Sequence, residues 1–174
     1  MIISFQGLTP NIGKGVFVAP SADVIGDVIV GENSSIWFGV VIRADIHHVH
    51  IGQNTNIQDM SMIHVTHYTL PDKSDGNPTI IGDNVTIGHH VMLHGCTINN
   101  ACLIGMSATI LDGAIIGEES IVGAGALVTK NKIFPPRSLI MGNPAKWVRE
   151  LTEDEVASLY QSANNYVTFK STYL

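Results

Sequence analysis

Aliphatic residues mark a six-residue beat along this chain. One run is Val18, Val24, Val30, Ile36 and Ile42; another is Ile98, Ile104, Ile110, Ile116, Val122 and Val128. A glycine often follows the aliphatic, as in Ile51-Gly52, Ile81-Gly82, Ile87-Gly88, Ile104-Gly105 and Ile116-Gly117. A period of six fits neither an amphipathic helix nor a meander of hairpins with turns every eight to twelve residues. It matches a parallel β-helix in which each hexad supplies a short strand and a corner. The fold class is therefore an all-β solenoid of hexapeptide repeats. The aliphatic points inward, and the small residue after it lets the chain turn, with positive φ where needed. Three hexads close one triangular coil, so residues eighteen apart stack.

The beat is interrupted at places that predict local structure. Residues 1 to about 11 read as a cap. From Ile42 to Ile51 the step is nine, so three residues of the stretch 46–50 form a bulge. The polar run 66–78 reads as an extruded loop. Between Leu93 and Ile98 the step is five, and Phe134-Pro135-Pro136 ends the beat. This divides the chain into a β-helix over 1–148 and a C-terminal helix over 149–174, packed on the prism or on a neighbouring subunit. Thr152 and Glu155 form a capping box, with Val156, Leu159, Tyr160, Ala163 and Val167 as the apolar stripe.

Composition narrows the partners. The 174 residues carry a net charge of −6 without a basic run, which argues against nucleic acid and anionic membrane. No stretch is apolar enough to span a bilayer. The first residues lack a signal-peptide pattern, and Cys96 and Cys102 sit one corner apart rather than stacked, so the expected setting is a reducing cytoplasm without a disulfide.

Three of the eight histidines stand out by register. His64 follows the inward Ile63, and His94 follows the inward Leu93. Their separation of thirty becomes eighteen once twelve residues of the loop are removed. They then occupy one face of adjacent coils, about 4.8 Å apart between backbones, close enough to share a metal ion. His89 lies five residues before His94, around a corner, and should not join them within one chain. If it is a ligand, it reaches a metal across a subunit interface, and a three-sided prism suits a cyclic trimer. Three neutral imidazoles around a zinc-type ion leave its full charge to acidify a bound water; carbonic anhydrase is the standard example of that chemistry. Spacing alone also allows plain surface histidines.

Arg43-Ala44-Asp45, Asn56-Ile57-Gln58-Asp59, Ile63-His64, Gly88-His89 and Leu93-His94-Gly95-Cys96, in that order, resemble the γ-class carbonic anhydrases. Leu103–Met106 and Ser162–Val167 look like their bacterial YrdA-like branch. The resemblance implies a left-handed β-helix, which departs from the usual right-handed crossover. It further implies a homotrimer with three interface metal sites ligated by His64, His89 and His94, and reversible hydration of CO2 to bicarbonate by a metal-bound hydroxide. The metal would be zinc, with iron or cobalt equally suited to three imidazoles. By position, Arg43 and Asp45 match a charged pair at the subunit interface, with Asp59 nearby. Gln58 matches the residue that orients the metal-bound water, Tyr166 a tyrosine near the active site, and Asn56 a group supporting the site from behind. Active relatives carry an acidic loop whose glutamates shuttle protons. Here the run 66–78 has none, and His67 is the candidate substitute. Two other functions compete: a hexapeptide acyltransferase or acyl-CoA-handling enzyme, which would use one histidine as general base, and a metal-binding structural protein with little catalysis.

Overall fold

The computed structural model describes all 174 residues. The chain winds as a left-handed parallel β-helix with three faces and one C-terminal helix. Two faces belong to one twelve-stranded sheet, because strands Asp23–Val30 and Val41–Ile51 run round a corner and serve both; the third face is an eight-stranded sheet. The strands pair in parallel, apart from a terminal hairpin of Ser138–Gly142 with Ala145–Glu150, and two isolated antiparallel pairs lie outside them, Phe5 with Leu8 and Thr66 with Asn77.

Stacking follows the hydrophobic beat. Ile42 pairs with Ile63, Ile63 with Leu93, and Leu93 with Ile110 on what we call the histidine face. Ile36, Ile57, Ile87 and Ile104 pair in sequence on the helix face. These side chains are fully buried. Each stabilises the fold by about 1.5–3 kcal/mol relative to an exposed position, which lets two-residue strands hold together.

The glycines have a different job from the one the sequence suggests. Most of those after the inward aliphatic have no positive φ. A Cβ at Gly31 would lie 2.5 Å from the carbonyl carbon of Gly52, and one at Gly105 would lie 2.5 Å from the Ala124 nitrogen. Glycine is needed there because the next coil's backbone passes where a side chain would stand. The left-handed turn falls two residues later, at Asn33, Asn54, Asn84 and His90, with φ between 54° and 61°. Asparagine tolerates that conformation better than most residues.

The interruptions are resolved locally. Ala44 sits opposite Gly26 and Val49 opposite Val28, so the bulge takes up three extra residues. Within it His47 is buried: its Nδ1 accepts the His48 backbone N–H at 2.8 Å, and its ring meets Tyr68 of the extruded loop at 5.5 Å. That loop is pinched at its base by the antiparallel pair Thr66 and Asn77, and its His67 is exposed.

Helix α1, Glu153–Lys170, begins at the Thr152–Glu155 capping box. It lies along the helix face, over strands Ser35–Ile36, Asn56–Ile57 and Thr86–Ile87. Val156, Leu159 and Ala163 are buried. Tyr160 departs from the expected stripe. It is 44% exposed because its hydroxyl reaches out to donate to Glu119 at 2.9 Å. No helix is long and apolar enough to cross a membrane. Cys96 and Cys102 are free, and burial pushes both thiols up to about 12.

Candidate metal centre

Strands Met62–His64 and Met92–His94 pair in register, which sets His64 directly beside His94 at their ends. The two ring centroids are 5.1 Å apart. Each ring is held from outside by a carboxylate. His64 Nε2 lies 3.1 Å from Asp45 Oδ1, and His94 Nδ1 lies 2.6 Å from Asp112 Oδ1. Arg43 in turn bonds Asp45, while Thr66 and Lys130 bond Asp112.

This outer shell fixes the tautomers. Burial would raise the Asp112 carboxyl, but hydrogen bonds from Thr66, His94 and Lys130 outweigh it and hold the group at about 2. Burial likewise tends to raise Asp45, yet Arg43 and His64 bring it below its ordinary value. Both carboxylates are therefore ionised at neutral pH and can only accept, so the ring protons sit on His64 Nε2 and His94 Nδ1. Burial also pushes His64 below the usual imidazole range, against the raising pull of Asp45, and favours its neutral form.

The consequence lies between the rings. His64 Nδ1 and His94 Nε2 face each other at 3.1 Å, and when both rings are neutral each carries a lone pair. Two such acceptors are satisfied by a shared proton or by a metal ion. Two nitrogens on one tetrahedral zinc, each at 2.0–2.1 Å, are separated by about 3.3 Å. The donor set thus fits a zinc-type ion, and the carboxylate behind each imidazole is the usual support of a metal-bound histidine.

His89 repeats the arrangement singly. Its Nδ1 lies 3.0 Å from Asp59 Oδ2, and the ring is 49% exposed. It stands just before the His90 corner, away from the pair. No cluster of three histidine, cysteine or acidic side chains within the chain is placed to hold a metal. Within one chain Asp59 stands beside His89, at the corner after Ile57, while Arg43 and Asp45 lie on strand Val41–Ile51.

Gln58, Thr86, His89, Met106, Ser162 and Tyr166 line a groove of about 500 Å³ beneath α1. Gln58 Nε2 donates to Asn56 Oδ1 at 3.1 Å. Tyr166 also packs edge-on against Trp37 at 5.7 Å, at the border of an aromatic cleft of about 570 Å³ that includes Asp59. Burial, with the Asp59 charge behind it, raises the Tyr166 hydroxyl above its ordinary value. The tyrosine serves packing and groove lining at once.

Sequence reasoning missed Asp112, Thr66, Thr86 and Ser162. Asp112 was within reach: it lies eighteen residues after His94, one coil on, where the repeat stacks side chains.

Comparison with known proteins places the chain among relatives. The family described as Bacterial transferase hexapeptide (six repeats) matches residues 9–44 and 95–130. Protein YrdA of Escherichia coli is 52% identical, over 98% of this chain and 92% of its own length. Carbonic anhydrase of Geobacillus kaustophilus is 45% identical, over 96% of this chain and 87% of its own. Gamma carbonic anhydrase 1, mitochondrial, of Arabidopsis thaliana is 52% identical over 90% of this chain, which spans only 56% of that protein. Among solved structures, a hexapeptide transferase family protein from Anaplasma phagocytophilum superposes with a TM-score of 0.91 at 38% identity, covering 100% of this chain and 98% of its own. With its repeats and these relatives, the chain belongs to the γ carbonic anhydrase family of hexapeptide-repeat proteins.

Proposed function

We propose that the protein hydrates CO2 reversibly to bicarbonate at metal centres between the subunits of a homotrimer. His64 and His94 of one chain and His89 of the partner subunit would hold a zinc-type ion. The observation that carries this reading is the pair of facing imidazole nitrogens, 3.1 Å apart, each ring held by a carboxylate. When bound, the ion supplies the charge that makes water acidic enough to ionise near neutral pH.

The chain's own residues do the rest. Asp45, Asp112 and Asp59 keep the three imidazoles in the tautomers that offer nitrogen lone pairs. Gln58 aligns the attacking water, and the apolar side of the groove holds CO2, which has no hydrogen to donate. Arg43, bonded to Asp45, stands at the edge that closes against the next subunit. We assign proton release to His67, the exposed imidazole of the extruded loop.

The test is metal content and CO2 hydration of anaerobically purified protein. About one ion per chain and hydration above the buffer rate are expected, with both lost in His94→Ala because two ligands make an inadequate site. Full occupancy in His94→Ala would remove the site assignment. Full metal without hydration would favour the structural reading, in keeping with a loop that lacks glutamate.

A further inference from the structure

A chain of buried polar groups runs from α1 to Gln58, and its direction can be read from one unambiguous end. The Val85 carbonyl can only accept a hydrogen bond. Asn56 is 1% exposed, and its side-chain nitrogen Nδ2 lies 3.3 Å from that carbonyl and 3.0 Å from Thr86 Oγ1. The amide oxygen of Asn56 must therefore point the other way. It meets the side chain of Gln58 at 3.1 Å, and an oxygen acceptor there requires the Gln58 NH2 group. What remains for the groove is the Gln58 oxygen. The Thr86 hydroxyl, having accepted from Asn56, has its own proton to give, and Ser162 Oγ of α1 lies 3.1 Å away.

We propose that Thr86 and Ser162 are positioning residues that act through Asn56 to hold Gln58 with its carbonyl oxygen toward the groove. The site then presents an acceptor to an O–H group beside His89, and a flipped Gln58 would present N–H instead. An amide is nearly symmetric in shape, so packing alone does not choose between the two states. The Val85 carbonyl gives the Asn56 amide its direction. The Thr86 hydroxyl, held by Ser162, takes the shorter of the amide's two N–H contacts, 3.0 Å against 3.3 Å, and keeps the amide from turning. Buried networks of this kind act as a unit when every member is satisfied. Helix α1 takes part through one hydroxyl, which ties its docking to the orientation of another side chain of the same groove. This inference rests on the proposed hydration reaction for its catalytic consequence, but its structural part stands independently.

Two measurements decide it. In the first, the Gln58 side-chain amide is followed by 1H–15N correlation in the assembled protein, with and without zinc, and assigned by its loss in Gln58→Ala. One amide proton should be protected from exchange, and protection should fall about tenfold in Thr86→Val and return in Thr86→Ser. Unchanged protection in Thr86→Val would overturn the relay. Ser162→Ala, at the partly exposed end, gives the same reading if Thr86→Val does not fold.

The second measurement is a double-mutant cycle on CO2 hydration in metal-replete protein. Thr86→Val should lower kcat about tenfold with KM little changed. In a Gln58→Ala background the same change should have almost no further effect, because its route is already gone. Equal losses in both backgrounds would assign Thr86 a general structural role. Should the wild type hydrate no CO2, the proposed function falls, and the amide signal still settles the relay.

Discussion

His64 and His94 differ from His89 in how completely one chain furnishes them. The pair stands on adjacent coils with ring exposures of 13% and 33%, and its two free nitrogens already converge. His89 is half exposed at a corner and offers a single nitrogen to open space. Yet each of the three rings has a carboxylate beside it, hydrogen-bonded for His64 and His94 and at 3.0 Å for His89. The unequal completeness is what the proposed interface site would resolve, with a second copy bringing its His89 to the pair. Half-sites on different edges of a prism favour closed rings over isolated chains.

The strongest way to break this comparison is to disable each half in a different chain. His64→Ala and His89→Ala proteins should each bind almost no metal alone. Equal mixing into trimers should restore about one quarter of the interfaces, since each needs an intact His89 on one side and an intact pair on the other. Verified mixed trimers that recover no metal would mean that the two halves do not meet.

A smaller effect separates the two halves by their carboxylates. Asp112 is braced by Thr66 and Lys130, whereas the side-chain partner of Asp59 is His89. Asp112→Asn should weaken zinc binding by about 10- to 100-fold, and Asp59→Asn by less. Competition with a chelator of known affinity measures both. Wild-type affinity in Asp112→Asn would show that the bracing is irrelevant to the metal.

The smallest effect isolates the helix that roofs the His89 groove. Hydrogen bonds from Arg149 and Thr152 hold the Glu155 carboxylate at about 2, down from an ordinary 4.5. A depressed carboxyl stabilises the fold fully above its ordinary value and loses that contribution as pH falls toward its folded value. Glu155→Gln should therefore flatten the acid limb of unfolding between about pH 4.5 and 2 and leave zinc affinity alone. An unchanged acid limb would show that the capping box contributes nothing to acid stability.

The solenoid was legible in the sequence because its period is set by one repeating event, an aliphatic turned inward at each face. The bulge, the extruded loop and the capping box were legible as breaks or signatures in that pattern. The register of His64 with His94 followed from the same counting. What escaped were features fixed by neighbouring coils. The role of Gly31 depends on where Gly52 passes, and the partner of His94 lies a full coil onward at Asp112. Tyr160 reads as core by helical spacing, but a hydrogen bond to Glu119 keeps it at the rim. The Gln58 orientation was beyond spacing altogether, because it is settled by the backbone carbonyl of Val85 in the next coil.

The extruded loop leaves and rejoins the prism between strands Met62–His64 and Thr79–Ile81, and the coils on either side stack as though it were absent. Its ends are already clasped by Thr66 and Asn77. For an engineer, this corner is a splice point. A foreign segment whose ends can be brought together there would ride outside the stack, adding length to the chain without displacing any residue from its place in the column.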